Sequence, residues 1–339
     1  MKQTERVVQN LNRALHEAFT ADDDLLILGE DILDPYGGAF KATRGLSTRF
    51  PDRVIGTPIS ENGIVGVANG LCLNGNTVIV EIMFADFLTL AFDQIVNASA
   101  KSVTMFGHRV PMHLVVRAPV GGHRGYGATH SQSPQKHFIG VPNLRLYELS
   151  PFHESTRLLP RLLNIGEPCI LFEDKTLYGE RLRLGPKVDD VFTLDFPRGR
   201  EGPAWVRLDG GQDTPDCTVI ATGGTALRAL EAVRTAFVEH EIICDVIVPF
   251  QLHPYGLGSM HEILSRSGHI IVAEESAAGG TWGSEIAHIL HTQLWDELSR
   301  PVRVVSSKDS SIPAAPHLER NVLMQADTIL QAIGDLANA

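Results

Sequence analysis

The sequence has no run of basic residues and no long apolar segment, and both absences limit what the protein can bind. Its 339 residues carry a formal net charge of −11, and the lysines and arginines are scattered. Nucleic acids and anionic membranes attract clustered positive charge, so both are disfavoured as partners. No segment reaches the roughly 18 apolar residues that cross a bilayer, and residues 1–19 do not have the pattern of a signal peptide. We therefore expect a cytoplasmic protein that binds neither nucleic acid nor membranes.

Cysteine is scarce as well. The four cysteines, Cys72, Cys169, Cys217 and Cys244, lie far apart in the sequence and form no CxxC pair. Three of them lie in apolar runs, where a free cysteine packs as a small hydrophobic residue. This usage predicts a reducing compartment, with neither a disulfide framework nor a structural zinc site.

Several catalytic motifs are missing too. The sequence contains no GxGxxG after a strand, no GxxxxGK[ST], no HExxH and no GxSxG. Simple dinucleotide, P-loop, zinc-protease and α/β-hydrolase chemistry therefore have no support. His288 and His291 lie three residues apart on a predicted helix and could share a metal ion. No carboxylate stands at a useful spacing, so a solvated helix face or subunit contact is favoured, and we predict no metal ligands in this chain.

Helix and strand patterns alternate along the first half of the chain. Apolar residues at helical spacing in 7–19 precede an apolar strand at 25–28. The alternation continues with a helix at 63–73, a strand at 77–81, a helix at 87–102, a strand at 113–116, and further elements at 144–147, 155–163 and 169–172. Short apolar strands separated by helices are typical of a mostly parallel sheet with helices on both faces.

The pattern breaks at residues 178–215, where prolines and glycines occur among charged residues, and it then resumes. The break predicts a linker. Strands follow at 217–221, 242–248, 269–273 and 302–305, and helices at 226–239, 260–267, 284–298 and 326–337. The sequence therefore predicts an α/β protein with two domains, at about 1–190 and about 205–339.

Two segments stand out as candidate functional sites. In TPISENGIVGVANG at 57–70, Glu61 begins a helix that is rich in glycine. The acid could simply complement the helix dipole. Such a helix has low intrinsic propensity, however, and this favours close packing against another backbone or a cofactor. In the second segment, RAPVGG at 117–122 leads through a glycine-rich loop to HSQSP at 130–134. A plain connection would account for this loop, so His130 alone is weaker evidence.

Together and in this order, the two segments resemble the beta subunits of the thiamine-diphosphate-dependent first component of pyruvate, branched-chain 2-oxo acid and acetoin dehydrogenase complexes. The resemblance covers nearly the whole chain. Further matching segments are LGED at 28–31, EIMFADF at 81–87, FDQIVN at 92–97, EE at 274–275, GGTWGSEIA at 279–287 and IP at 312–313. The resemblance implies a transketolase-like pyrimidine-binding domain followed by a transketolase C-terminal domain, in an α2β2 heterotetramer with its active sites between subunits.

The resemblance also implies roles for individual residues. Glu61 would hydrogen-bond the aminopyrimidine ring of thiamine diphosphate and so promote removal of the thiazolium proton. Ile59 and Met83 would line the cofactor, and Phe87 would stack on its pyrimidine ring, although Phe87 could also be a core residue. His130 would act near the substrate or the incoming lipoyl group of an acyltransferase component. The alpha subunit would hold the diphosphate and Mg²⁺, since this chain has no GDG motif.

The sequence departs from the family pattern at several positions. Met83 stands where branched-chain enzymes have Gln, and Thr129 and Gln135 replace an aromatic residue and a Glu. Residues 248–254 lack the usual Asp-Leu-Arg. These changes favour an unusual 2-oxo acid or acyl acceptor, as in a specialised biosynthetic relative. Family members often bind K⁺ after the helix that matches 155–163, but Ile165 and Glu167 replace the usual Asp and Asn.

Two alternatives to the dehydrogenase remain open from the sequence. The chain could be the C-terminal half of a split transketolase, which would share the fold and Glu61. It could also be a scaffold subunit that has lost catalysis. The HSQSP and FDQIVN segments favour the dehydrogenase over the first alternative, and the presence of Glu61 and His130 argues against the second.

Overall fold

The computed structural model describes residues 5–211, 214–258 and 260–337 of the chain. These residues form two compact units. The first holds the described residues up to Val120 together with 137–149 and 154–182; the second holds 121–136, 150–153 and the described residues from Arg183 onward. The loop that carries His130 therefore belongs to the second unit, although it interrupts the first unit in sequence.

The first unit is built on a parallel sheet. Its helices are α1 (Val7–Ala21), α2 (Leu46–Arg49), α3 (Glu61–Leu73) and α4 (Ser155–Asn164), and its strands are β1 (Leu25–Gly29), β2 (Val54–Gly56), β3 (Thr77–Glu81), β4 (Leu114–Val120), β5 (Arg145–Glu148) and β6 (Cys169–Asp174). Short 3₁₀ helices cover Ala85–Thr89 and Leu177–Gly179. The strand order is β5-β6-β4-β3-β1-β2, and every neighbouring pair is parallel.

Burial follows the apolar pattern of the sequence in this unit. Leu11, Leu15 and Phe19 of α1 are fully buried, as their helical spacing predicts. The central strands β3 and β4 are buried along nearly their whole length, because both faces of a parallel sheet are covered by helices. The parallel α/β architecture expected from the sequence is confirmed.

The predicted helix at 87–102 has a less regular form. A 3₁₀ helix covers Ala85–Thr89, and a π-helix covers Gln94–Ala100. The Ser99 hydroxyl lies within hydrogen-bond distance of two acceptors, the Gln94 carbonyl (2.9 Å) and Asn69 Oδ1 of α3 (2.6 Å). Gly66 of α3 allows close packing here, because a Cβ at this position would lie 3.3 Å from Gln94 Oε1. One glycine of the Glu61 helix thus serves close packing, as expected.

The second unit has a mixed sheet. The strands of this unit are β7 (Phe192–Asp195), β8 (Ala204–Leu208), β9 (Cys217–Ala221), β10 (Cys244–Val248), β11 (Gln251–His253), β12 (Ile270–Ala277) and β13 (Arg303–Ser307), of which β11 lies outside the mixed sheet. Its helices are α5 (Thr225–His240), α6 (Met260–Ser265), α7 (Trp282–Leu294), α8 (Pro316–Val322) and α9 (Ala326–Ala337). The sheet order is β13-β12-β9-β10-β8-β7, parallel from β13 to β10 and antiparallel from there to β7. Its core includes Val219, Val246 and Ile271.

Residues 192–208, within the segment predicted to be a linker, form a β-hairpin. Residues 192–195 pair with 205–208 in an antiparallel ladder, and β8 continues the sheet against β10. Phe192, Leu194, Ala204 and Val206 alternate with more exposed residues and are buried in the core. Antiparallel strands at a sheet edge tolerate polar residues on one face, so the charges and prolines around them concealed the alternation.

None of the helices in residues 5–211, 214–258 and 260–337 combines the length and the apolar character that a bilayer crossing demands.

Candidate active site

Glu61 lies at the amino terminus of α3, which begins at this residue. The loop before it follows β2 and is tied to β1, since the Thr57 amide donates to the Gly29 carbonyl (3.0 Å). Only 5% of Glu61 is exposed. Parallel strands gather their carboxyl ends at one edge, where α/β proteins usually bind ligands, and this loop places Glu61 at that edge.

A second carboxylate, Glu30, accompanies Glu61. Glu30 directly follows β1 and is 7% exposed. Burial raises the pKa of Glu30, and the negative charge of Glu61 raises it further, although a hydrogen bond from the Ser60 amide opposes the rise. Within the part of the chain that the structure describes, Glu30 Oε1 has no hydrogen-bond partner. A buried pair of like charges next to an unsatisfied acceptor is well suited to share a proton with a bound group.

The structure thus adds Glu30 to the residues that the sequence singled out. The segment LGED at 28–31 had marked Glu30 only as part of a matching motif. A polar acid directly after a buried apolar strand was the available signal, because strand ends in parallel sheets carry binding residues. Its proximity to Glu61 arises only from the fold.

The other predicted cofactor residues follow β3 or precede α3. Met83 and Phe87 are half-buried, and Phe87 makes an edge contact with Phe84 at 6.3 Å between ring centroids. Phe84 in turn packs edge-on against Phe40 at 5.9 Å. Ile59 is 83% exposed. Glu61, Met83 and Phe87 therefore lie in segments that follow strands at the carboxyl edge of the first sheet, and Met83 and Phe87 are partly exposed.

A buried ion-pair network lies in neighbouring strands. Arg117 of β4 is 1% exposed and donates to both oxygens of Glu173 (2.7 and 3.0 Å) and to Glu81 (2.8 Å). The Tyr178 hydroxyl also donates to Glu173 (2.7 Å). Burial raises the pKa of Glu81, and the charge of Arg117 opposes that rise. Here each acid faces a base, unlike Glu30 and Glu61, so this network is structural in character.

His130 belongs to the second unit, on the loop after Val120. The ring Nδ1 of His130 lies 3.0 Å from the Thr129 hydroxyl, and the side chain is half-buried. Gly121, Gly125 and Gly127 adopt left-handed backbone conformations along this loop. The structure therefore places His130 on a tightly turning segment in which three glycines adopt the left-handed conformation.

Metal ligands do not cluster in the described ranges: residues 5–211, 214–258 and 260–337 contain no group of three or more His, Cys, Asp or Glu that could hold an ion. His291 of α7 is engaged otherwise, because its Nε2 accepts the Val302 amide (3.0 Å). This contact fixes the segment before β13.

The end of α4 and the segment after it, where the resemblance implied a potassium ion, make hydrogen bonds through two of their oxygen-bearing groups. The Glu167 carboxylate already accepts hydrogen bonds from Arg109 and Arg145, each at 2.5 Å. The Leu163 carbonyl accepts from His113 Nδ1 (2.8 Å). Burial alone would raise the pKa of Glu167, but the two arginines lower it. The Glu167 carboxylate and the Leu163 carbonyl therefore already have partners within the protein.

Comparison with known proteins places this architecture in a family. The model for the transketolase pyrimidine-binding domain matches residues 6–181, and that for the transketolase C-terminal domain matches residues 208–329. Among solved structures, the inactive beta4 tetramer of a split-gene transketolase superimposes with a TM-score of 0.72 over 99% of both chains. Its sequence identity is 21%, so this likeness concerns the fold.

Relatives similar in sequence are dehydrogenase subunits. The pyruvate dehydrogenase E1 component subunit beta of Leifsonia xyli is 33% identical over 328 residues, which cover 96% of this chain and 93% of that protein. The mitochondrial 2-oxoisovalerate dehydrogenase subunit beta of Dictyostelium discoideum is 31% identical over 316 residues, covering 92% and 81%. The chain therefore belongs to the family of beta subunits of thiamine-diphosphate-dependent 2-oxo acid dehydrogenases.

Proposed function

We propose that this protein, together with an alpha subunit in an α2β2 heterotetramer, oxidatively decarboxylates a 2-oxo acid and transfers the acyl group to a lipoyl group of an acyltransferase. The observation that carries the proposal is the buried pair Glu30 and Glu61 at the carboxyl edge of the first sheet. The proposed domains are residues 1–190 for pyrimidine binding and 205–339 for the C-terminal domain, and the proposed location is the cytoplasm.

Thiamine diphosphate, when bound, supplies the electron sink for decarboxylation. In this chain Glu61 would accept a hydrogen bond from the aminopyrimidine ring and share a proton with it. Ile59 and Met83 would contact the cofactor, and the half-buried ring of Phe87 would stack on the pyrimidine. The sequence has no GDG motif, so the alpha subunit would hold the diphosphate and its Mg²⁺.

Glu30 would hold a proton beside Glu61. Burial and the charge of Glu61 raise the pKa of Glu30, so Glu30 binds a proton more readily than an isolated exposed acid. Glu61 would make the hydrogen bond to the cofactor ring, and Glu30 would support it from the neighbouring position.

Replacing Glu61 tests this assignment directly. In Glu61→Gln the shape is kept but proton sharing is lost, so hydrogen–deuterium exchange at the cofactor thiazolium carbon should slow by ~10²–10⁴ in the assembled enzyme. The matched control is Glu285→Gln, which changes an exposed first-turn acid on α7, a helix as long as α3. The control should exchange normally. A wild-type exchange rate at the thiazolium carbon in Glu61→Gln would contradict the role proposed for Glu61. Calorimetry would report whether the cofactor still binds to the variant.

His130 would serve the later acyl transfer. Its position on a glycine loop suits a residue that meets an arriving acceptor, and transfer to a lipoyl sulfur needs a proton donor for the departing thiolate. His130→Ala should therefore slow acylation of a lipoyl domain by at least ~10²-fold. Reduction of an artificial electron acceptor, which reports decarboxylation, should fall much less. Normal acylation in this variant would leave His130 without a catalytic role.

The exposed face of α3 is a proposed contact for the alpha subunit. Val67 is 57% exposed and Leu73 is 45% exposed. The intervening Gly70 also faces open space, because a Cβ at this position would have no neighbouring atom within 4 Å. Co-expression with the cognate alpha subunit should yield two copies of each chain by native mass spectrometry. A chain that stays monomeric in that mixture would contradict the assembly, as would full turnover by the purified chain alone.

The split-transketolase alternative has weaker support. Dehydrogenase beta subunits match at 33% and 31% identity, whereas the split-gene transketolase matches at 21%. A direct assay separates the two, because a transketolase half would transfer a two-carbon ketol unit between sugar phosphates when combined with its partner. The dehydrogenase proposal expects no such transfer.

A further inference from the structure

The segment 121–133, here called the His130 loop, closes on itself within the second unit. The Gly121 amide donates to the Gln132 carbonyl (3.1 Å). Residues at its two ends are therefore neighbours, and His130 lies close to the second end. A group that binds both ends at once would fix the whole loop.

Glu275 of β12 is such a group. Its Oε1 accepts the Gly122 amide (2.7 Å) at one end of the loop and the Ser133 hydroxyl (3.3 Å) at the other. The next residue of the strand adds a third tie, since the Ser276 hydroxyl donates to the Ser133 carbonyl (2.6 Å). The Glu275 side chain is only 6% exposed, so water competes little for these bonds.

The charge of Glu275 is balanced within the same unit. Arg228 of α5 donates to its Oε2 (2.7 Å). His123 Nε2 lies 3.1 Å from this oxygen. Burial would raise the pKa of Glu275, yet Arg228 and the other donors lower it to about 2. The carboxylate is therefore ionised at neutral pH, and its bonds to the loop are charge-assisted.

The middle of the His130 loop is held as closely as its ends. Glu319 of α8 is 3% exposed and accepts the Gly125 amide at 3.1 Å. A Cβ at Gly122 would lie 2.3 Å from Leu323 Cδ1, and one at Gly125 would lie 3.0 Å from the Ala314 carbonyl oxygen. The backbone of the loop thus follows the surface of this unit with no room for side chains at these glycines.

We propose that Glu275 is a positioning residue for His130, which it holds in the orientation used for acyl transfer by fixing both ends of the His130 loop. This inference rests on the proposed function of His130. A catalytic group that is displaced by about 1 Å can lose ~10²-fold in rate. A rigid anchor on a sheet strand prevents that displacement.

Glu275→Gln in the complete α2β2 enzyme tests the proposal, with Glu274→Gln as the matched control. Glu274 is the neighbouring residue of β12 and is 4% exposed, but it accepts the Gly283 amide (3.0 Å) at the start of α7. Glu275→Gln should slow lipoyl acylation by up to ~10²-fold more than decarboxylation. Acylation by the double variant, Glu275→Gln with His130→Ala, should be no slower than acylation by His130→Ala alone. Glu274→Gln should slow both steps equally or not at all.

Hydrogen exchange separates this proposal from the function on which it rests. A hydrogen bond to a charged group protects its donor, so the Gly122 amide should exchange ~10–100-fold faster in Glu275→Gln. The exchange rate of the Gly122 amide should be unchanged in Glu274→Gln. Unchanged exchange in Glu275→Gln, or additive losses of acylation in the double variant, would overturn the positioning role. If His130→Ala alone shows no selective loss of acylation, the proposed function fails, while the exchange rates still decide whether Glu275 anchors the loop.

A milder variant covers the case in which Glu275→Gln does not fold. Ser276→Ala removes only the donor to the Ser133 carbonyl and leaves the carboxylate in place. It should raise the exchange of the loop by a smaller factor, ~3–10-fold, and show the same selectivity for the acylation step. Equal slowing of both steps with unchanged exchange would contradict the proposal.

Discussion

Acidification is expected to destabilise the second unit through His153. This residue is buried, and its ring packs between Phe196 (5.7 Å) and Phe250 (5.5 Å). Nε2 lies 2.8 Å from the Gly202 carbonyl, which can only accept, so Nε2 carries the proton. Nδ1 of the neutral ring then accepts from the Ser150 hydroxyl at 2.6 Å. The site is therefore complete for neutral imidazole and has no acid to balance a charged one among the interactions that set its pKa.

The magnitude follows from proton linkage. Burial lowers the pKa of His153 from 6.5 to about 4, although its bond to Gly202 opposes the change. Between these pH values the unfolded chain binds more protons than the folded chain. The contribution of His153 is therefore fully present above pH 6.5 and is lost as the pH falls toward 4, by about 1.4 kcal/mol per pH unit and about 3 kcal/mol in all.

The assay can be restricted to the correct unit. The three tryptophans, Trp205, Trp282 and Trp295, all lie in the second unit, so urea unfolding followed by tryptophan fluorescence reports on it. The free energy of unfolding of His153→Gln should fall less steeply with acid than that of the unchanged protein. His240→Gln, which changes an exposed histidine of α5, should keep the original slope. Parallel curves for His153→Gln and the unchanged protein would refute the argument, since other titrating groups are common to both.

Three further predictions concern packing and charge. Glu173→Gln should destabilise the first unit by ~3–5 kcal/mol, measured by hydrogen exchange in β4, because it leaves buried Arg117 without its bidentate partner; a loss below 1 kcal/mol would contradict this. Replacing K⁺ by Na⁺ at constant ionic strength should leave the melting temperature unchanged, whereas Glu167→Gln should lower the free energy of unfolding by ~1 kcal/mol. A melting temperature that is clearly higher in K⁺ than in Na⁺ would show a bound ion. Gly122→Ala should destabilise the second unit by ~1–3 kcal/mol, measured by urea unfolding, because the new Cβ would meet Leu323. An unchanged free energy of unfolding would mean that Leu323 can move away.

The regular elements could be predicted closely where apolar runs are uninterrupted. The strands expected at 77–81 and 217–221 and the helix expected at 326–337 have the predicted bounds. In each case the local pattern and the tertiary environment agree, because a strand buried on both faces must be apolar throughout and an amphipathic helix must alternate every three to four residues.

Elsewhere tertiary context overrode the local pattern. The Gln94–Ala100 π-helix depends on contacts to α3, including the bond from Ser99 to Asn69, which lies far away in sequence. Cys217 and Cys244 lie far apart in the sequence, yet they are register partners on the parallel strands β9 and β10. Pairings of this kind follow from strand order, which a single sequence does not specify.

The candidate site was predictable only in part for the same reason. Glu61 was visible because an acid began a helix of low intrinsic propensity, and that feature is local. The role of Glu30 depends on the approach of two chain segments, and so does that of Glu275, which contacts a loop from a distant strand. Side chains that act through another residue leave no pattern of their own in the sequence.

The two groups of buried acids in the first unit show how the structure separates scaffold from site. Arg117 compensates the negative charges of both Glu81 and Glu173, so this network does not require a bound ligand. Among the interactions that set the pKa of Glu30, by contrast, none comes from a basic residue, and the nearby charge of Glu61 is unfavourable. A buried pair of like charges is costly unless a proton or a ligand relieves it. The fold retains this pair at the edge where parallel sheets bind ligands, and this agrees with the proposal that a bound group compensates it.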